Sequence, residues 1–158
     1  MWKPDKKKVS DKEIVGRRVF GKKIFRAPRE RGLFVPEIFY DTRLENDLSF
    51  DRLGLKKVDK DVVRFLTQQC YQHGDMQNKK FVGWAAIKVS DIKKIKVSQS
   101  EKLEIQATPN HENPYHADLP REGFRESVSA ERLACQLAYY ASVLELVLPA
   151  NEETSEGA

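Results

Sequence analysis

The run Phe81–Val89, FVGWAAIKV, constrains the fold more than any other stretch because it is the most apolar candidate strand of the chain. It is far shorter than the roughly 20 apolar residues that a membrane span needs, and it suits a single buried strand. We therefore predict that this strand lies at the centre of a sheet. Gly83 beside Trp84 indicates a bulge, or the close approach of another backbone.

Two stretches have the spacing of amphipathic helices. In the first, apolar residues recur at helical spacing after Asp59, and we expect His73-Gly74 to close the helix with Gly74 as a left-handed cap. His73 is assigned a structural role at that helix end. The second helix follows Ser127 or Ser129 and is stopped by Pro149. A short helical turn, capped by Ser90, is predicted between them.

Short apolar or alternating stretches predict the remaining strands. Three are early: Val19–Arg26, the proline-interrupted Leu33–Tyr40, and Leu48–Leu53. Lys102–Ala107 is a later one, with alternate side chains facing inward. Strands and helices are segregated more than alternated, so we predict one α+β domain. Its sheet is expected to be mixed or mainly antiparallel and to be packed by two main helices.

The domain is predicted to span residues 14–149. Residues 1–13 are expected to form a flexible basic arm because Pro4 and Lys6–Lys8 discourage regular structure and nothing there is expected to pack. Residues 150–158 are expected to form a flexible acidic tail. The N-terminal sequence has no apolar core of the kind that a secretory signal carries, so we expect a cytoplasmic location and no membrane contact.

Charge is unevenly distributed along the chain, whose formal net charge is +4. Through Arg31 there are twelve basic residues against four acidic ones, whereas from Glu112 onward nine acidic residues face three arginines. This asymmetry permits a polyanion such as nucleic acid to contact the basic N-terminal segment. It equally permits opposite-charge attraction within the fold, or between copies in an oligomer.

The stretch Glu104–Leu119 is the best candidate for a polar site, because it begins as an alternating strand and ends in a loop that holds His111 and His116. Two histidines five residues apart lack the spacing of known metal sites, so no metal is predicted. His116 follows a turn fixed by Pro114. It is either an acid–base group or a side chain that bonds a backbone carbonyl and locks the loop.

Other candidate site residues lie on the predicted strands. Arg26, Ser49 and Arg52 would form a polar cluster in which arginine contacts phosphate or carboxylate. Ser49 is alternatively an outward-facing strand residue. Trp84 and Tyr115 would stack on a base or a nicotinamide ring, or else belong to the core. The sequence has no glycine-rich dinucleotide motif, P-loop, zinc-protease motif or nucleophile elbow, so no cofactor is expected.

The two cysteines, Cys70 and Cys135, lie on different predicted helices and form no CxxC pair. We predict two free, largely buried thiols rather than a disulfide.

The segments LSFDRLG, VGWAAIKVSDI and ATPNHENPYHADL occur in that order. They resemble a loose class of short, functionally uncharacterised bacterial proteins that have an LSxD strand, a glycine-bearing central strand and a PxHA loop before a terminal helix. The matching residues here are Leu48–Asp51, Gly83 and Pro114–Ala117. The resemblance implies the same fold and makes His116 a candidate site residue.

The chain is also similar, over fewer residues, to compact ADP-ribosyltransferase-like folds, in which an early basic residue, a serine-bearing strand and a late acidic residue surround NAD. Arg26, Ser49 and Glu104 occur in that order. This resemblance implies a nucleotide-directed enzyme.

Three functional hypotheses follow. The first is a non-enzymatic protein-interaction module of a bacterial cytoplasmic system, such as a toxin, defence or other multi-protein assembly. The second is a small enzyme that acts on a nucleotide or nucleic acid, ADP-ribosyltransferase-like or nuclease-like, with His116 as its acid–base group. The third is a nucleic-acid-binding protein that uses the basic N-terminal segment.

Overall fold

The structure is a computed structural model that describes residues 1–21, 34, 36–40, 47–96, 103–120, 127–144 and 146–150. The strands and helices, in chain order, are β1 (Glu13–Phe20), a 3-10 helix (Pro36–Phe39), β2 (Leu48–Leu55), α1 (Lys60–Met76), β3 (Phe81–Lys88), α2 (Val89–Ile92), β4 (Gln106–Ala107), β5 (His116–Leu119) and α3 (Ser127–Ala141).

The five strands form one sheet in the order β3-β1-β2-β5-β4, and every neighbouring pair is antiparallel. The prediction of an α+β fold with a mainly antiparallel sheet is therefore confirmed. The register shifts between Ile14 and Val15 where β1 meets β2.

The two long helices lie over opposite faces of the sheet, which gives three layers. Alternation along β1 sends Val15 and Val19 into the core that contains α3, and Ile14 into the core that contains α1. Each face of the sheet is therefore apolar. The α1 side contributes Val62, Val63, Leu66 and Cys70, and the α3 side contributes Leu133, Ala134, Leu137, Ala138 and Ala141.

Helix α1 begins as the sequence predicts and ends later than predicted. The Asp59 carboxylate accepts hydrogen bonds from the N–H groups of Asp61 and Val62, which caps the helix N-terminus. Gly74, however, is a buried residue inside the helix rather than its cap. A Cβ at Gly74 would crowd the carbonyl oxygen of Lys79, so glycine is needed there for close packing.

Strand β3 lies at the edge of the sheet, not at its centre as predicted. The edge of β3 that faces away from β1 is covered by the segment after α3, where Trp84 and Val147 exchange two backbone hydrogen bonds of 2.8 and 3.0 Å. The run of apolar residues therefore reflects two covered faces and a covered edge. The close backbone approach expected at Gly83 is confirmed, because a Cβ there would overlap the Val147 carbonyl oxygen.

Other predicted elements also differ from the structure. Helix α3 ends at Ala141 and does not reach Pro149, and β1 begins at Glu13 rather than at Val19, while residues 22–26 of that predicted strand lie outside the described residues. The described part of the stretch Leu33–Tyr40 contains a 3-10 helix, which suits its prolines better than a ladder does. Helix α2 has no side-chain cap, so Ser90 does not cap it. The predicted strand Lys102–Ala107 is reduced to β4, and His116 lies on β5 rather than in a loop.

The first thirteen residues contact the domain, although nothing in that segment was predicted to pack. Val9 and Glu13 are buried, and Glu13 already belongs to β1. The guanidinium of Arg52, which is 0% exposed, donates hydrogen bonds to the carbonyl oxygens of Asp5 and Lys8 and to the Glu13 carboxylate. The polar segment thus packs by hydrogen bonding to a buried arginine. The predicted tail beyond residue 150 lies outside the described residues.

The two cysteines are both free, but only Cys70 is buried. Cys135 is exposed on α3, which corrects the prediction of two largely buried thiols.

Candidate binding cleft

A buried carboxylate forms the base of an open cleft between α1 and the loop that precedes β5. Asp51 on β2 is 2% exposed. It accepts four hydrogen bonds, two from Arg18 at 2.7 and 3.1 Å, one from the Trp84 indole at 2.8 Å and one from the Asn113 amide at 2.9 Å. Because β1, β3 and the loop each supply a donor, the carboxylate fixes three elements relative to one another.

Arg18 is the cation that this carboxylate orients. Its Nε and Nη2 atoms bind Asp51, while the described residues provide no hydrogen-bond partner for Nη1. The side chain is 22% exposed and lines the cleft. Burial lowers the pKa of Arg18, but the hydrogen bond and charge of Asp51 outweigh it and leave the pKa above its ordinary value. Arg18 is thus a permanently charged and pre-oriented donor.

The walls of the cleft carry several polar side chains beside Phe20 and Phe50, and the cavity volume is about 450 Å³. One wall consists of Gln69 and His73 on α1 and of Gln77 just after the end of that helix. The opposite wall includes Asn110 and His116. The Gln69 amide donates to the Glu112 carbonyl oxygen at 2.6 Å and joins the two walls at one point.

Asparagine side chains hold the loop of the second wall in place. Asn110 Oδ1 accepts from the backbone N–H groups of Glu112 and Asn113 at 3.1 and 2.8 Å. Asn113 Oδ1 accepts from the N–H of Tyr115 at 2.9 Å, so its amide can point its nitrogen at Asp51. Such side-chain-to-backbone bonds are the usual way in which asparagine fixes a turn.

His116 is oriented by Thr108, which follows β4, and lies near Asp118 on its own strand β5. Its Nδ1 lies 2.8 Å from Thr108 Oγ1 and 3.2 Å from the Thr108 carbonyl oxygen, and its Nε2 lies 3.8 Å from Asp118 Oδ1. Ser49 Oγ donates to the same Asp118 oxygen at 3.2 Å. The Asp118 carboxylate therefore stands between serine and histidine, and the imidazole does not accept the serine proton as it would in a Ser–His pair.

His73 faces the cleft from α1 and packs edge-on against Phe20, with ring centroids 5.2 Å apart. Partial burial, followed by the charge of Arg18, lowers its pKa, and Asp51 opposes this effect. His73 is therefore neutral near pH 7 and can both donate and accept hydrogen bonds.

Among the predicted site residues, the structure brings Ser49 and His116 together at the cleft. His111 is exposed on the same loop and does not line the cleft. Glu104 is also exposed and away from it. Arg26 lies outside the described residues.

The other three predicted binding residues are buried. Trp84 donates to Asp51 beneath the cleft, and the Tyr115 hydroxyl donates to the Trp2 carbonyl oxygen at 3.2 Å. Arg52 has its donors bound to Glu13 and the N-terminal segment, and it does not line the cleft. All three side chains therefore pack inside the fold. Neither the two aromatic rings nor the Arg52 guanidinium is accessible to a ligand.

Sequence reasoning missed Asp51, Arg18 and Asn113. A signal for the first two exists, since each is a charged residue among the apolar residues of a strand, and opposite charges on two buried strands predict a pair. Asn113 has no comparable signal, because a loop asparagine is ordinary.

Within the described ranges, no group of three or more His, Cys, Asp and Glu side chains is arranged to hold a metal ion. Over the same part of the chain, every helix is too short or too polar to cross a membrane.

No family model, curated protein or solved structure matches this chain. The resemblances drawn from short motifs therefore stay predictions, and the chemistry of the cleft carries the functional argument.

Proposed function

We propose that the protein is a non-enzymatic interaction module whose cleft binds an acidic segment of a partner protein. The observation that carries this proposal is the arrangement at Arg18. Its guanidinium is held by a buried carboxylate, and Nη1 is left for a ligand. Arginine fixed in this way binds a carboxylate at little further entropic cost.

The walls suit an extended polar segment. Amide groups of Gln69, Gln77 and Asn110 offer donors and acceptors for a peptide backbone, and His73 adds an imidazole. The setting expected from the sequence, a bacterial cytoplasm and a toxin, defence or other multi-protein assembly, is part of the same proposal.

The polar chain at His116 favours binding over catalysis. Ser49 donates to Asp118 and not to the imidazole, so no histidine is placed to take the serine proton. A nucleotide-directed enzyme with His116 as acid–base group is the second candidate, supported by the fixed orientation that Thr108 gives the ring. Replacing His116 with alanine should abolish turnover in the second case and leave partner binding within about twofold in the first.

Isothermal titration of the full chain with a hexaglutamate peptide tests the proposal. Gln77→Glu places a carboxylate on the cleft wall without disturbing a described side-chain bond, and it should weaken binding about three- to fivefold at low salt. Gln72→Glu makes the same change on the part of α1 outside the cleft and should alter affinity by less than about twofold. Equal weakening by both variants, or no binding by the wild type, would reject the cleft as the site.

A further inference from the structure

We propose that a second surface, the lysine groove, binds the phosphate backbone of single-stranded nucleic acid. The groove is lined by Trp2, Lys8, Lys12, Lys56 and Lys93, together with acidic residues discussed below, and its volume is about 720 Å³. It shares no lining residue with the cleft, so the inference stands independently of the proposed function.

Each carboxylate that lines the groove already has a partner. Asp5 Oδ1 accepts from the N–H groups of Lys7 and Lys8 at 2.8 and 3.3 Å. Asp11 pairs with Lys93, and Glu13 pairs with buried Arg52 at 2.6 Å. Asp11 and Glu13 are therefore neutralised by cations of the fold, whereas Asp5 keeps its negative charge and offsets one of the remaining lysines.

Three lysines of the groove remain uncommitted. In the part of the chain that the structure describes, the ammonium groups of Lys8, Lys12 and Lys56 have no ion-pair or hydrogen-bond partner. They come from the N-terminal segment, the turn before β1 and the turn after β2. Ammonium groups from separate segments that line one open groove are suited to contacting successive phosphates.

The turn after β2 holds Lys56 in an unusual backbone conformation. Its φ is 65°, in the left-handed region that lysine rarely adopts, and its N–H donates to the Lys12 carbonyl oxygen at 2.6 Å. A Cβ at Gly54 would overlap the Lys57 carbonyl oxygen, so the turn closes tightly. Strain of this kind persists where surrounding contacts enforce it and is concentrated at functional positions. In this turn, the unusual backbone conformation places Lys56 beside Lys12.

Trp2 supplies an aromatic ring at the same groove. The ring is half-buried, with the Arg52 guanidinium 5.7 Å from its centroid, and the Trp2 backbone is fixed by bonds to Asp59 and Tyr115 at 2.9 and 3.2 Å. An anchored ring beside uncommitted lysines is the combination by which proteins stack bases of a single strand without sequence preference.

Fluorescence anisotropy with a labelled oligothymidine dodecamer tests the inference on the full chain. Three phosphate contacts predict a slope of about −2 for log affinity against log salt, or about twentyfold weaker binding between roughly 50 and 200 mM salt. Lys12→Gln with Lys56→Gln should reduce the slope to about −0.7. Trp2→Ala should weaken binding at least about fivefold at fixed salt.

The matched control is Lys79→Gln with Lys80→Gln, which removes the same charge from exposed positions outside the groove. It should leave the slope unchanged. An equal fall in slope would show that net charge alone is responsible and would overturn the inference, as would the absence of binding at low salt. Displacement of the oligonucleotide by hexaglutamate at equal charge concentration would overturn it in favour of an acidic peptide ligand.

Discussion

Asp51 accepts hydrogen bonds from Arg18, Trp84 and Asn113, and each of these donors would lose its partner if the carboxylate were removed. A buried polar group left without a partner is more costly than the net gain from making the bond. The same residue that orients the candidate ligand-binding arginine therefore also stabilises the fold.

Asp51→Asn should lower the free energy of unfolding by about 2 to 4 kcal/mol, because it leaves a largely buried guanidinium without its counter-charge. Urea denaturation measures this change. The control is Asp118→Asn, whose side chain is more exposed and whose loss should amount to less than about 1 kcal/mol. An Asp51 variant as stable as the wild type would show that the network is not structural.

The two thiols should differ in reactivity. Burial raises the pKa of Cys70 from its ordinary value of 9.0 to about 12, whereas Cys135 is exposed. At pH 8 a thiol reagent should therefore label only Cys135 in the native protein and both cysteines in guanidinium. Rapid labelling of a Cys135→Ser variant under native conditions would contradict the burial of Cys70.

The raised pKa of Cys70 also links stability to pH. Folding favours the neutral thiol, so this contribution is complete below the unfolded pKa of 9.0 and is lost as pH rises towards about 12. Replacing Cys70 with alanine should flatten the fall of stability in that window.

At the scale of elements, the segment after α3 protects an edge of the sheet. An apolar edge strand such as β3 is a template for pairing with other chains unless it is covered. Val147 covers it through two backbone bonds to Trp84, and Gly83 permits the approach. The C-terminal segment is therefore part of the sheet structure, although it contributes only an isolated bridge.

Gly83→Ala should destabilise the protein by about 2 to 4 kcal/mol, since the new Cβ overlaps the Val147 carbonyl oxygen and the φ of +149° is unfavourable for alanine. Hydrogen exchange at the Trp84 amide should accelerate in parallel. Gly21→Ala is the control, because its φ of +101° is also positive but nothing lies within 4 Å of the added Cβ. Equal effects at both positions would mean that the backbone conformation, not the covered edge, is responsible.

At the scale of the whole molecule, Arg52 joins the N-terminal segment to the sheet. It donates to the Glu13 carboxylate and to two backbone carbonyl oxygens, and its guanidinium also faces Trp2. Lysine lacks the planar fork and cannot make all of these contacts.

Arg52→Lys should therefore destabilise the protein by about 2 kcal/mol and speed native-state trypsin cleavage after Lys6–Lys8 about tenfold. Arg64→Lys changes an exposed arginine paired with Asp61 and should alter stability by less than about 0.5 kcal/mol. Unchanged cleavage in Arg52→Lys would show that other contacts hold the segment.

Much of the architecture was predictable because it depends on local periodicity. The Asp59 cap, the alternation of β2 and the apolar spacing of α1 are all visible in the sequence. The edge position of β3 was not, because its apolar run arises from a backbone bridge to Val147, distant along the chain. Ser49 and His116, both predicted as site residues, line the cleft. Arg18 was overlooked because its partner Asp51 lies 33 residues away on β2.

The cleft and the lysine groove are separate surfaces, and we propose a different ligand for each. A map of backbone amide shifts in nuclear magnetic resonance, recorded during titration with hexaglutamate, tests that assignment most directly. We expect the largest shifts to cluster at Arg18, Asn110 and His116. A cluster at Lys8, Lys12 and Lys56, or shifts spread evenly over the surface, would contradict it.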